Sequence, residues 1–156
     1  MVFLLGGGFI VAKKIANIYV DGSYNPTTNI IGCAFVLSVD ASKKPHRIAF
    51  SKQLKSQQKN GSNIAEITAA KTAIKTARSL GITQINIYHD WNGIEFFSHR
   101  DNVKQRHNAC ASYVVYADYI EKVRNDARIC FIKVKAHSGD ELNSLVDKMA
   151  KAGRTI

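Results

Sequence analysis

The chain has 156 residues, 46% of them apolar, which is enough for one ordinary core and too few for two large ones; an intrinsically disordered chain is excluded. Lysine and arginine number 22 against 12 aspartate and glutamate, a net charge of +10 that favours a polyanionic partner such as nucleic acid. Three cysteines without CxxC spacing, Cys33, Cys110 and Cys130, argue against a disulfide framework or a zinc site and fit a reducing cytoplasm.

Residues 1–14, MVFLLGGGFIVAKK, contain an apolar stretch about half as long as a membrane-spanning helix requires. Positive charge follows that stretch, whereas a secretory signal puts it first, and three glycines weaken any helix. An extra strand or a poorly ordered extension is expected there, with no membrane role. Residues 15–21 (IANIYVD) are a β-branched strand ending in a carboxylate, followed by the turn-like GSYNPTTN. Residues 30–39 and 46–54 give two more strands, Gly32 marking a bulge or a close approach, and the short links make the three antiparallel neighbours. A helix over 63–80 follows, with Ile67, Ala70, Ile74 and Ala77 at three-and-four spacing and Gly81 as its stop. Residues 84–89 (QINIYH) form a fourth strand ending at Asp90. A short helix over 91–97, a polar basic segment and a helix over 109–125 come next. Residues 128–135 are the fifth strand and 140–152 the last helix, with Leu142, Leu145, Val146 and Met149 facing the core. The order βββαβααβα describes one α/β domain over 15–153, a mixed five-stranded sheet with helices on its faces.

Asp21 and Asp90 each close a strand, and ligands of open α/β sheets bind beyond those carboxyl ends. Glu66 near the start of the first long helix and Asp147 in the last one can lean over the same edge. Each has an ordinary local explanation. Asp21 precedes a turn, Glu66 stands three residues after Asn63 as in a capping box, Asp90 precedes a short helix, and Asp147 has Lys151 at i+4. Their convergence on one edge of a basic protein points elsewhere. Clustered carboxylates repel until a hard divalent cation neutralises them, and two Mg²⁺ ions about 3.5–4 Å apart suit in-line cleavage of phosphate esters.

IYVDGSYN, SNIAE, IYHD and VKAHSGDELNSLVDKMAKAG resemble, in order and spacing, the four motif blocks of type 1 ribonuclease H. The resemblance covers residues 15–153, and DWNGIEFF is similar to a bacterial subgroup that often carries a separate N-terminal hybrid-binding module. The extension here is far too short for that module. The resemblance implies strand order 3-2-1-4-5 and metal binding by Asp21, Glu66, Asp90 and Asp147, with two Mg²⁺ ions or Mn²⁺ in their place. It implies that His137 assists proton transfer or product release, that Asn143 lies near the scissile phosphate and that Asn63 contacts the minor groove. The implied reaction is endonucleolytic hydrolysis of the RNA strand of an RNA–DNA hybrid by a cytoplasmic monomer, leaving a 3′-hydroxyl and a 5′-phosphate.

Backbone amides near Gly22 and Ser23 are expected to read the minor groove, and Lys104 and Arg106 to hold DNA-strand phosphates; a merely solvated positive face is the alternative for the last two. Gly61 and Ser62 replace the Thr or Asn common before Asn63, and His89 replaces a small residue before the third acidic position. A binding module of the same fold that does not cut is the competing functional reading.

Overall fold

A computed structural model describes residues 2–5, 8–11, 14–106, 110–136 and 138–155, with side chains from residue 14 onward. The apolar N-terminal segment forms β1 (Val2–Leu5) and β2 (Gly8–Val11), which pair as an antiparallel sheet of their own and add no strand to the main one. Strand β3 (Ile15–Asn25) alternates cleanly, burying Ala16, Ile18 and Val20. It pairs antiparallel with β4 (Ile30–Ser38), which pairs in turn with β5 (His46–Gln53). On its other side β3 runs parallel to β6 (Gln84–His89), and β6 runs parallel to β7 (Arg128–Lys133). The sheet order β5-β4-β3-β6-β7 is the expected 3-2-1-4-5.

The long helix α1 (Gly61–Ser79) packs on one face of this sheet. The short α2 (Gly93–Phe96) and α3 (Arg100–Lys104) lead to α4 (Ala111–Val123), which packs on α1. The final helix α5 (Glu141–Gly153) covers β3 and β4 from the opposite side. Neighbouring residues of β4 therefore serve two cores: Phe35 joins the large cluster under α1, while Ala34 and Val36 meet Val146 and Ala150 of α5. Leu142, Leu145 and Met149 pack only partly buried against this second cluster.

Close approach sets the spacing of the layers. A side-chain carbon on Gly22 would overlap the α1 backbone at Ala65 and Glu66, and one on Gly32 would overlap the end of α5. Gly32 thus marks a close approach rather than a bulge.

Several boundaries differ from those expected. Helix α1 begins two residues early, after Asn60, because Gly61 lets its first turn lie flat against the Tyr24 ring. Asn63 is therefore inside the helix and caps nothing, and the capping box with Glu66 does not form. The basic segment after residue 97 contains α3, and β7 stops at Lys133. At the other end, Asp140 caps α5 through its side chain, accepting from the amides of Leu142 and Asn143. All three cysteines are free thiols, Cys33 fully buried.

Candidate functional site

The register of the parallel pair β3–β6 builds the site. Tyr19 lies opposite Tyr88, so Asp21 and Asp90, each two residues further on, reach the same level of the sheet. There β6 has ended, whereas β3 continues as a ribbon with β4 to Asn25. Asp21 is consequently within a strand and not at its end, and the vacated place beside it opens a cavity of about 450 Å³. The Gly22 contact with α1 brings Glu66 over the same edge. Carboxylate oxygens of Asp21, Glu66 and Asp90 lie within 4.8 Å of one another.

Burial makes this cluster electrostatically unfavourable without a counter-charge. Asp21 is 4% exposed and Glu66 9%. Loss of water, opposed by a hydrogen bond with Glu66 and reinforced by the charge of Asp90, pushes Asp21 up to about 7. Burial and the charge of Asp21 likewise hold Glu66 well above the usual carboxylate range. One buried oxygen of Glu66 has no hydrogen-bond partner. An all-oxygen donor set with an unpaired buried oxygen and three mutually repelling carboxylates fits a hard divalent cation such as Mg²⁺.

Surrounding contacts fix the carboxylates. The Gly22 amide donates to Asp21 at 2.8 Å, so this amide is engaged inside the protein rather than free to read a groove. Buried Asn143 donates its side-chain amide to Asp90 at 3.3 Å, and its own side-chain oxygen has no partner. Lys133 donates to the Asp90 carbonyl, a contact that the sequence did not announce because β7 meets Asp90 only through the fold. His89 turns the other way, into the core, where its Nδ1 meets the Trp91 carbonyl at 2.9 Å and its ring meets Phe131 edge-on. Burial holds it neutral, below its ordinary range.

Asp147 borders the same cavity, as do Gly22, Ser23 and Asn143, but it stands outside the tight cluster of three. Lys151 donates to its carboxylate at 2.8 Å, the i+4 ion pair anticipated from spacing. His137 lies outside the described residues. Asn63 faces away from the acidic cavity, donating to the Tyr113 hydroxyl at 3.0 Å. Its pocket is shared with Trp91, Phe96, Phe97 and Arg106, whose guanidinium sits 5.3 Å from the Phe96 ring centre. The structure thus joins Asn63 and Arg106, and Arg106 also lines, together with Lys104, a second small cavity beside Arg100 and Asp118.

No described helix is long and apolar enough to cross a membrane. The family model described as RNase H matches residues 13–155. No curated protein matches the chain significantly. Among solved structures, the N-terminal RNase H domain of a Mycobacterium tuberculosis protein, studied as a fusion with maltose-binding protein, superimposes with a TM-score of 0.69 at 14% identity, over 92% of this chain and 95% of that one. RNase H1 from the halophilic archaeon Halobacterium salinarum gives a TM-score of 0.64 at 13% identity, over 89% of this chain and 96% of that one.

Proposed function

The chain belongs to the ribonuclease H family, and on that premise we propose that residues 15–153 are a type 1 catalytic domain that cuts the RNA strand of RNA–DNA hybrids. The observation that carries this reading is the set of three carboxylates within 4.8 Å at the end of a parallel pair, in a chain of net charge +10. Asp21, Glu66 and Asp90 are the cation ligands, with Asp147 joining them once Lys151 releases it. When bound, two divalent ions, Mg²⁺ or Mn²⁺, supply a more acidic water and charge for the leaving oxygen. The chain's own residues do the positioning. The Gly22 amide and Asn143 hold two of the carboxylates in place, and Ser23 and Asn143 line the wall where a phosphate would lie. Asn63 and Arg106, in their shared aromatic-lined pocket, receive the other strand. Contacts to 2′-hydroxyls across the shallow minor groove select RNA over DNA, and hydrolysis leaves a 3′-hydroxyl and a 5′-phosphate. His137, just ahead of α5, is assigned the proton at the leaving group. The substrate is the only partner required of a cytoplasmic monomer.

An end-labelled hybrid tests the reading directly. Internal cuts confined to the RNA strand, dependent on Mg²⁺ or Mn²⁺, are expected; intact RNA with either ion would leave a binding module of the same fold, and cut DNA a different nuclease.

The lysine that holds Asp147 gives a second expectation. A half-exposed ion pair contributes at most about 1 kcal/mol, so its competition with a cation is modest. Lys151→Gln should lower the Mg²⁺ concentration that half-stabilises the protein by about two- to fivefold. A Mg²⁺ titration of the melting temperature reads this out, and an unchanged midpoint would remove Asp147 from the ligand set.

A further inference from the structure

A second charged feature lies away from the acidic cavity. The outer face of α1, between α4 and the edge strand β5, forms a groove of about 320 Å³ rimmed by Lys52, Lys71 and Lys75. Among the described residues none of these lysines is in a salt bridge, although Arg78, Arg100 and Lys151 all find carboxylates. Two of them are gathered over one ring: the Lys71 and Lys75 ammonium groups stand 5.7 and 5.4 Å from the centre of Tyr119. The groove floor offers Thr68 and Thr72, but their hydroxyls already donate to backbone carbonyls one turn earlier. Together with the Ser112 hydroxyl on the α4 side, the three ammonium groups are therefore what this surface presents to a ligand. Partial burial and the charges of Lys75 and Lys52 lower Lys71 from its ordinary range, as expected of cations assembled without an anion.

We infer that this groove is a phosphate rail, which binds the sugar–phosphate backbone of the nucleic acid where it continues beyond the acidic cavity. The inference rests on the reading above for the identity of the strand. Helix α1 links the two places: Lys71 and Lys75 follow Glu66 by five and nine residues, about 7.5 and 13.5 Å along the axis. Those offsets also turn the two lysines about 140° and 180° around α1 from Glu66, so the groove lies on the far side of the helix and only a substrate long enough to pass round α1 reaches it. Lysine heads on flexible stems bind phosphate as point charges and recognise no base, so the rail is indifferent to sequence. Its effect is retention of long substrates.

The experiment compares Kd by fluorescence anisotropy, in EDTA, for labelled hybrids of about 8 and about 25 base pairs. The full chain is set against Lys52→Gln/Lys71→Gln/Lys75→Gln and against a charge-matched control, Lys43→Gln/Lys44→Gln/Lys122→Gln. On the long hybrid the groove variant should bind at least about tenfold more weakly, and the slope of log Kd against log salt should fall by about 2–3, near 0.9 per lost phosphate contact. The control and the short hybrid should change less than about twofold. Equal salt slopes for groove variant and control would overturn the rail, as would equal losses on both lengths, which would mean a general field. Because no metal is present, binding is read apart from cleavage: loss of hybrid cutting with an intact slope difference would fail the proposed reaction and leave the rail.

Discussion

Replacing Asp21 with Asn is expected to abolish cleavage and at the same time to make the metal-free protein more heat-stable at pH 8. The site charges itself unfavourably. With Asp21 raised from 3.8 to about 7, the folded state binds a proton that the unfolded chain has released anywhere between those values. A carboxylate raised in this way lowers stability progressively as pH climbs from about 4 to about 7, and the full penalty, on the order of 4 kcal/mol, is present at pH 8. Glu66, shifted in the same direction, adds to it. The amide of Asn carries no charge at any pH but must satisfy its own buried donors, so about half of the penalty should be recovered. For a chain of this size about 2 kcal/mol corresponds to a gain of about 4–8 °C. Thermal melts in EDTA should show that gain at pH 8 and less than half of it at pH 5. Mg²⁺ should stabilise the wild type far more than the variant, and kcat/KM on a labelled hybrid should fall by about 10³-fold or more. A variant that melts below the wild type in EDTA at pH 8 would show Asp21 to be an ordinary hydrogen-bonded core residue.

The second large effect comes from Gly22→Ala, which adds one methyl group and no charge. That carbon has nowhere to go: it meets the α1 backbone at Ala65 and Glu66, which cannot rotate aside as a side chain would. Helix α1 must retreat from β3, and Glu66 moves away from Asp21 with it. Overpacking of this kind costs about 3 kcal/mol or more, and a displacement of about 1 Å at the reacting groups costs about a hundredfold in rate. Urea unfolding and steady-state kinetics should show both losses. The comparison is Gly81→Ala, whose new carbon meets no neighbour, so that only the strain of a left-handed backbone (φ 75°), about 1–2 kcal/mol, is incurred. If Gly22→Ala unfolds in urea no earlier than Gly81→Ala, the helix is not held by backbone contact at this point.

Much of this architecture was legible before any coordinates. The apolar periods of β3, β6 and α1 and the short links of the meander point to a mixed five-stranded sheet, because these follow from local alternation and connection length, whereas the strand order came from the resemblance of the motif blocks. Asp21, Glu66 and Asp90 were placed correctly at one edge, since the parallel register is nearly forced once β3 and β6 are neighbours. What sequence could not supply were contacts between residues distant in the chain. Asn63 reads as a cap from its spacing, yet Gly61 and Tyr24 move the helix start and Tyr113 takes the Asn63 amide. Asp147 reads equally as ligand or ion-pair partner, and its position on α5 gives Lys151 the first claim. Lys133 carries no motif at all and reaches Asp90 only because β7 borders β6.

The two aspartates are mounted differently, and that asymmetry bears on which ions the centre admits. Asp21 is clamped in a two-stranded ribbon that runs on to Asn25. Asp90 hangs just past the final residue of its strand, steadied by an asparagine amide and by the tip of a long lysine. On the reading proposed above, adjustment of the cluster to the size of a bound cation would fall on the Asp90 side, through the Asn143 and Lys133 side chains, while the ribbon that carries Asp21 stays paired.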